Sequence, residues 1–178
     1  LVDIVTQRSA RPGRNRWSLN ISRFCNSRAF VKVQDGCDNF CSYCKIPYLR
    51  GAPASRPEQD IVAEIERISP DHPEIVLCGT NIGLYGRENG YRNDLASLLE
   101  KLLGVKKLGR LRISSISPLH VSDRLLALFK DRKLCPHLHL PFQCGDDIIL
   151  KKMNKKSTTG LYKEVVDKAR AIISDIAV

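Results

Sequence analysis

Short apolar segments alternate along the chain with segments of helical period, and this alternation constrains the fold more than any other feature. The candidate strands are "FVKVQ" from Phe30, "EIVLC" (74–78), "RLRIS" (110–114), "HLHL" (137–140) and residues 175–178. Repeated βα units of this kind predict an α/β fold with a parallel sheet. Such strands fit either a (β/α) barrel or an open doubly wound sheet, and periodicity alone does not choose between them.

The clearest helical signal lies in "SRPEQDIVAEIERIS", where Ser55 and Glu58 have the spacing of a capping box. A second helix is predicted in "NDLASLLEKLLG", whose leucines share one face and whose last glycine is a stop signal. Further helices are predicted over 122–130, around 146–153 and in "TGLYKEVVDKARAII". These helices would pack on the sheet and form one hydrophobic core.

The first 29 residues differ from the rest, being rich in Arg, Asn and Ser with little periodicity, and predict a basic linker or arm before a core domain at 30–178. Residues 1–30 hold six arginines and one aspartate, in a chain of net charge +10. A second basic cluster lies in "LKKMNKKS". Such charge suits a polyanion such as RNA, although a merely solvated surface is the alternative.

The ends and the apolar runs of the chain bear on its completeness and its compartment. The last residues, "SDIAV", read as a strand with nothing after it, which predicts a piece of a longer protein. No apolar run approaches the roughly 20 residues that span a bilayer, and the N-terminal segment lacks the apolar region of a secretory signal. We therefore expect no membrane association and a cytoplasmic protein.

Four unusual stretches each follow a predicted strand directly. They are "DGCDNFCSYC", "CGTNIG", "SSISP" and "PFQCG". Because the carboxyl ends of parallel strands lie together and carry the ligand sites of such folds, we expect these stretches to converge on one site. Loops in general are polar, but they do not generally concentrate thiols, glycines and amides in this way.

The first stretch places Cys37, Cys41 and Cys44 at Cys-x3-Cys-x2-Cys spacing. Three thiolates can hold three corners of a cubane iron-sulfur cluster and leave the fourth iron open for a substrate or cofactor. A structural zinc site needs a second cysteine pair, and the other four cysteines are widely spaced singles. A dithiol redox pair of Cys41 and Cys44 would leave Cys37 unexplained. The open cluster is favoured, and zinc and dithiol chemistry stay as alternatives.

These residues resemble a known family. "CDNFCSYC", with an aromatic residue before the third cysteine, is similar to the cluster loop of radical S-adenosylmethionine (SAM) enzymes. Over residues 28–178, "FVKVQDGCDNFCSYCKIPYLRGAPASRP", "IVLCGTNIGLYG", "LRISSISP" and "HLHLPFQCGDDIILKKMNKKST" follow the pattern of the methylthiotransferase branch. Within it, "KVQDGCDNFCSYC" looks most like tRNA enzymes acting on threonylcarbamoyladenosine. The resemblance implies a partial (β/α) radical SAM barrel, TIM-like and truncated at the C-terminus.

The resemblance also implies a set of site residues. Cys37, Cys41 and Cys44 would hold a 4Fe-4S cluster whose open iron binds SAM. The SAM and nucleoside contacts would come from eight residues. They are Gly79, Thr80 and Asn81 at the methionine amino group, Ser114 and Ser115 at the ribose, Tyr43 and Gln143 near the nucleoside, and Arg56 at the SAM carboxylate, unless Arg56 forms a structural salt bridge.

The activity implied is transfer of a methylthio group to C2 of threonylcarbamoyladenosine at position 37 of tRNA, through a 5'-deoxyadenosyl radical. The implied partners are the tRNA anticodon loop, SAM and an electron donor such as flavodoxin or ferredoxin. Family members also carry an N-terminal domain with a second 4Fe-4S cluster and a C-terminal RNA-binding domain, and neither is expected within these 178 residues. The alternatives are a non-catalytic, metal-stabilised RNA-binding module, or a methylthiotransferase acting on another tRNA base or a ribosomal protein.

Overall fold

A computed structural model describes Trp17 and residues 27–178 of the chain. Most of the predicted basic arm, including Cys25, lies outside the described residues. The strands are β1 (Arg28–Lys32), β2 (Gln34–Asp35), β3 (Ala54–Ser55), β4 (Glu74–Cys78) and β5 (Arg110–Ile113). The α-helices are α1 (Ile46–Arg50), α2 (Glu58–Ile68), α3 (Leu95–Leu103), α4 (Asp123–Ala127), α5 (Asp147–Lys152) and α6 (Thr159–Ile172). Short 3-10 helices cover Ile82–Leu84, Arg87–Asn89, Pro118–His120 and Leu128–Lys130.

The main sheet is parallel and its strands lie in chain order, β1-β4-β5. Single parallel bridges extend it beyond β5, from Leu111 to Leu134 and from Ser115 to His139, and a further bridge joins His137 to Ala177. The predicted fourth and fifth strands are thus present as bridged segments in the expected positions. Because the order never reverses, the sheet follows the winding of a (β/α) barrel and not that of an open doubly wound sheet.

The helices cover one face of this sheet and form the core with it. Alternate residues of the strands, such as Val31, Leu77 and Leu111, are fully buried on that face. Isoleucines of α2 and leucines of α3 complete the same cluster, as the helical spacing of the sequence predicts. The opposite face of the strands carries Lys32 and Cys78, which are paired in the β1–β4 register and only partly buried.

Helix α2 begins differently from its prediction. The proposed capping box is wrong, because Pro57 occupies the N-cap position and forms no side-chain cap. Ser55 lies in β3, where its backbone N–H and its hydroxyl both donate to the carboxylate of Glu88. The fixed φ of a proline suits the start of a helix, so a side-chain cap is not needed there. Helix α3, by contrast, has the side-chain cap of Asp94, which accepts a bond from the Ser97 N–H.

One unpredicted element is the small antiparallel pair of β2 and β3, which brackets the cysteine loop. Each of these strands has two residues, too few to produce a periodic signal in the sequence. In the part of the chain that the structure describes, no helix combines the length and the apolar character that crossing a bilayer requires.

Candidate active site

The cysteine loop, residues 36–45, begins where β2 ends, at the carboxyl end of the parallel sheet. Gly36 opens the loop with a φ of +77°, and a Cβ there would lie 2.2 Å from the Ala52 carbonyl oxygen, so only glycine fits. The Cys37 N–H donates to the Gly51 carbonyl at 3.1 Å, and the Cys44 N–H donates to Cys41 at 2.9 Å. The first bond joins the start of the loop to the segment beyond α1, and the second tightens the loop between its last two cysteines.

The three cysteines of this loop are partly exposed and are not in disulfides. Burial raises the pKa of the Cys37 thiol, and charges on Asp38, Cys41 and Cys44 act in the same direction. The three thiols therefore lie within electrostatic reach of one another. Among the described residues, no three Cys, His, Asp or Glu side chains converge on a point where one metal ion would bind.

This donor set fits an iron-sulfur cluster better than it fits zinc. A tetrahedral zinc ion draws all its ligands to one point at about 2.0–2.3 Å. A cubane cluster offers a separate iron to each thiolate, so its ligands need not converge on one position. Three sulfurs in one exposed loop have the chemistry and the accessibility that such a cluster requires.

One segment far along the chain holds the cysteine loop through two hydrogen bonds. The Ser42 N–H donates to the Met153 carbonyl at 3.0 Å, and the Asn154 amide donates to the Phe40 carbonyl at 2.9 Å. Phe40 and Asn154 both have positive φ, of 48° and 55°. The end of α5 thus supports the loop that carries the thiols.

Gln34 connects the ends of β1 and β4 and is fully buried. Its amide donates to the carbonyls of Asp35 at 2.9 Å and Gly36 at 2.8 Å, and its oxygen accepts from the Asn81 N–H at 3.0 Å. The Asn81 side chain in turn accepts from the Ser117 N–H at 3.2 Å. Because the Asn81 side-chain oxygen is occupied in this way, we expect Asn81 to act mainly by fixing the backbone of residues 79–81.

Asp35 is a second centre of contacts at the same sheet edge. Its carboxylate accepts from Lys32 at 2.8 Å, from Thr80 at 3.4 Å and from Arg50 at 3.4 Å. Burial tends to raise the pKa of Asp35, but these cations and the Gly36 N–H outweigh it and hold the pKa below its usual range. The carboxylate is therefore ionised at neutral pH.

A cavity of about 310 Å³ opens beside this group. It is lined by Lys32, Gln34, Asp35, Arg50, Cys78, Gly79 and Thr80. Two of the three residues predicted to meet the methionine amino group, Gly79 and Thr80, thus line a charged cleft next to the start of the cysteine loop. Burial raises the pKa of Cys78 to about 11, so this thiol is protonated.

The end of β5 supplies the predicted ribose contacts. Ser115 Oγ lies 3.1 Å from His139 Nδ1 on the neighbouring bridged segment. The Ser114 hydroxyl is buried without a hydrogen-bond partner in the described part of the chain, although its N–H donates to Leu77. A buried hydroxyl with unused capacity at a strand end is a reasonable place for a ligand to bind.

Tyr43 and Gln143, the predicted nucleoside contacts, both lie near Tyr162. Tyr43 is half exposed, and burial together with Cys41 raises its pKa to about 12. Gln143 is exposed and has a φ of +70°, next to Phe142, whose carbonyl accepts from the Tyr162 hydroxyl. The structure thus places these two residues on the same side of the site, near Tyr162.

Arg56 is buried and forms an ion pair with Glu64 of α2. Of the two roles that the sequence leaves open for Arg56, these contacts support the structural salt bridge. The sequence patterns do not indicate four further residues that contact the site, namely Gln34, Asp35, Asp38 and Arg87. In the sequence, only their position beside the cysteine loop and the strand ends points to a role in the site.

Comparison with known proteins agrees with this geometry. The model of the Radical SAM superfamily matches residues 31–178, and the chain belongs to this superfamily. The cofactors of the superfamily are a 4Fe-4S cluster and SAM, which the cysteine loop and the adjoining strand ends fit.

Curated relatives extend the match in sequence. The chain is 41% identical over 162 residues to a tRNA-2-methylthio-N(6)-dimethylallyladenosine synthase of Thermoanaerobacter sp. (strain X514), covering 90% of this chain. It is 46% identical over 147 residues to the threonylcarbamoyladenosine tRNA methylthiotransferase MtaB of Chlamydia pneumoniae, covering 82% of this chain. The chain spans about a third, 34%, of the length of each of these relatives.

Solved structures support the fold. The radical SAM methyltransferase TsrM from Kitasatospora setae, determined with cobalamin and a [4Fe-4S] cluster, aligns with a TM-score of 0.64 at 15% identity, over 80% of this chain and 28% of that one. The cobalamin-dependent radical enzyme OxsB aligns with a TM-score of 0.65 at 14% identity, over 80% of this chain and 22% of that one. At such identities the likeness concerns the fold alone.

Proposed function

We propose that this chain is the core of a cytoplasmic radical SAM methylthiotransferase that acts on C2 of a modified adenosine in the tRNA anticodon loop. The observation that carries the proposal is the open three-cysteine loop at the carboxyl ends of the parallel strands, beside a charged cleft. When bound, the cluster and SAM supply the radical chemistry by which such an enzyme activates an unreactive carbon. An electron donor such as flavodoxin or ferredoxin would be its redox partner.

The residues of the chain bind and orient the reactants. Cys37, Cys41 and Cys44 hold the cluster. The backbone of residues 79–81, fixed by Gln34, offers polar groups to the methionine end of SAM. Ser114 and Ser115, at the next strand end, are placed to bind the ribose. This division of roles follows the order of the strands and needs no rearrangement of the sheet.

The surface around the cysteine loop suits an unpaired RNA segment. Phe40, Tyr43 and Tyr48 are each about half exposed there. The end of α5 contacts the cysteine loop, so its exposed lysines, Lys151 and Lys152, lie on the same side. Aromatic rings that stack on bases, combined with cations that meet phosphates, are the means by which proteins bind single-stranded nucleic acid. An anticodon loop presents its bases without a duplex to open.

The charged cleft favours threonylcarbamoyladenosine at position 37 as the substrate. A threonylcarbamoyl group ends in a carboxylate, whereas a dimethylallyl group is apolar. Lys32 and Arg50 line the cleft together with Asp35, so two cationic side chains lie where a carboxylate of the substrate would bind beside the methionine end of SAM. The relative that is 46% identical is named for threonylcarbamoyladenosine and supports this choice, whereas the relative that is 41% identical is named for dimethylallyladenosine.

The first experiment measures iron, sulfide and zinc per chain after anaerobic reconstitution, with electron paramagnetic resonance before and after SAM is added. About four irons per chain and a spectrum that SAM perturbs are expected. The variant Cys37→Ala should lose the iron, whereas Cys135→Ala, a buried cysteine away from the loop, should keep it. Stoichiometric zinc, or iron that ignores SAM, would favour the metal-stabilised RNA-binding module instead.

The second experiment addresses the substrate. Two tRNAs, one with threonylcarbamoyladenosine and one with dimethylallyladenosine, are incubated with the reconstituted protein, and their nucleosides are analysed by mass spectrometry. We expect the methylthio product, or SAM cleavage stimulated by tRNA, only with the first. A preference for the second would contradict the role of the cleft and leave the methylthiotransferase class intact. A response to a ribosomal protein instead would contradict the RNA substrate.

A further inference from the structure

A short turn, residues 86–90, joins the cysteine loop to β3. The Arg87 guanidinium forms two parallel bonds with the carboxylate of Asp38, which follows Cys37 directly. Nη1 lies 2.9 Å from Oδ1, and Nη2 lies 2.8 Å from Oδ2. The two side chains are 38% and 30% exposed, so the pair is partly shielded from water. This paired geometry is the strongest form of arginine–carboxylate contact.

The turn that carries Arg87 is itself held firmly. Gly86 has a φ of +80°, and a Cβ at Gly86 would lie 2.2 Å from the Asn93 carbonyl oxygen. Glu88 accepts from the Ser55 N–H at 2.7 Å and from its hydroxyl at 3.0 Å, and the Gly86 N–H donates to Ser55 Oγ at 2.7 Å. The turn that carries the Arg87 guanidinium is therefore attached to β3.

The charges of the pair also bear on the cluster. Neighbouring charge is one of the factors that set the reduction potential of an iron-sulfur cluster. A cation near the cluster favours the added electron, and an anion opposes it. With Arg87 and Asp38 together, the two effects largely cancel next to the first cluster cysteine.

We propose that Arg87 is a positioning residue, whose ion pair with Asp38 fixes the cysteine loop before the cluster binds and balances the charge beside it afterwards. The proposal rests on the cluster site proposed above only for its second part. The first part concerns the metal-free chain and can be tested without a cluster.

The test compares Arg87→Gln, Asp38→Asn and the double variant with wild type. Arg92→Gln is the matched control, because Arg92 is an exposed arginine close by in the chain. In the metal-free protein, amide hydrogen exchange over residues 37–44 should become about five-fold faster in both single variants. It should stay unchanged in the control. Unchanged exchange in the single variants would overturn the positioning role.

In the reconstituted protein, the reduction potential is measured by a titration followed by electron paramagnetic resonance, without SAM or tRNA. Arg87→Gln should lower the potential, Asp38→Asn should raise it, and the double variant should fall between them. Arg87→Lys should keep the potential but lose exchange protection, because lysine keeps the charge without the paired geometry. Shifts of the same sign in the two single variants, or no shift, would overturn the charge balance. A wild-type chain that binds no iron would refute the cluster, while the exchange result would still decide the positioning role.

Discussion

Replacing Gln34 with leucine should destabilise the chain strongly, because this buried amide makes three hydrogen bonds, and the one with the Asn81 N–H joins the segment after β1 to the segment after β4. The substitution keeps a similar volume and removes every polar atom. It leaves two carbonyls, of Asp35 and Gly36, and the N–H of Asn81 without their partners. Each buried group left unsatisfied costs about 1–3 kcal/mol.

The total cost is smaller than the sum over the three unsatisfied groups, because the chain can relax and water can enter from the nearby cleft. We expect a loss of about 3–5 kcal/mol in the free energy of unfolding, a large part of the 5–15 kcal/mol typical of a domain. Urea unfolding of the metal-free protein, followed by circular dichroism, measures this loss. The slope with denaturant should not change, since the surface exposed on unfolding stays the same.

Gln59→Leu is the matched control, since Gln59 lies exposed on α2. It should change the free energy of unfolding by less than about 0.5 kcal/mol. A loss below about 1 kcal/mol for Gln34→Leu would refute the view that this amide holds the strand ends together. SAM affinity in the reconstituted protein should also fall for Gln34→Leu, because the backbone of residues 79–81 loses its anchor.

Three further predictions concern single residues. Gly36→Ala should lower the urea midpoint by the equivalent of at least about 2 kcal/mol, because of its positive φ and the blocked Cβ position, whereas Gly145→Ala, with open space around it, should have little effect. Glu74→Gln should cost about 2 kcal/mol at neutral pH. The hydrogen bond from Arg112 holds the Glu74 pKa below its usual value. The difference in the free energy of unfolding between wild type and variant should therefore persist above about pH 4.3 and vanish as the pH falls through the lowered pKa. Unfolding measured at a series of pH values would show this. Tyr162→Phe should cost about 1 kcal/mol in urea, since its buried hydroxyl loses bonds to Ser157 and Phe142.

The strands and long helices could be predicted from the sequence because their signals are local. The segment 74–78 was predicted with its observed bounds, and the leucine spacing of α3 gave both the helix and its buried face. The predicted start of α2 was wrong, because Ser55 is taken by Glu88, a contact between residues 33 positions apart. No local pattern contains such a competition.

The features of the site also fall into those that local sequence signals predict and those that depend on contacts between distant segments. The cysteine spacing and the resemblance are sequence signals, and they are enough to indicate the loop and the strand ends. The contacts of Arg56 with Glu64 and of Arg87 with Asp38 depend on how loops meet in space. Both arginines stand near family motifs, and only the structure shows that one faces a helix and the other faces the cysteine loop.

Backbone strain is concentrated around the candidate active site. Of the four non-glycine residues with positive φ in the described ranges, three lie there, namely Phe40, Gln143 and Asn154. Such conformations cost about 1–3 kcal/mol each and persist only where surrounding contacts enforce them. The Asn154 amide bond to the Phe40 carbonyl joins two of these residues directly, so each strained position helps to hold the other. A loop that must present three thiols in one arrangement benefits from this rigidity, because a flexible loop would lose more entropy on binding a cluster.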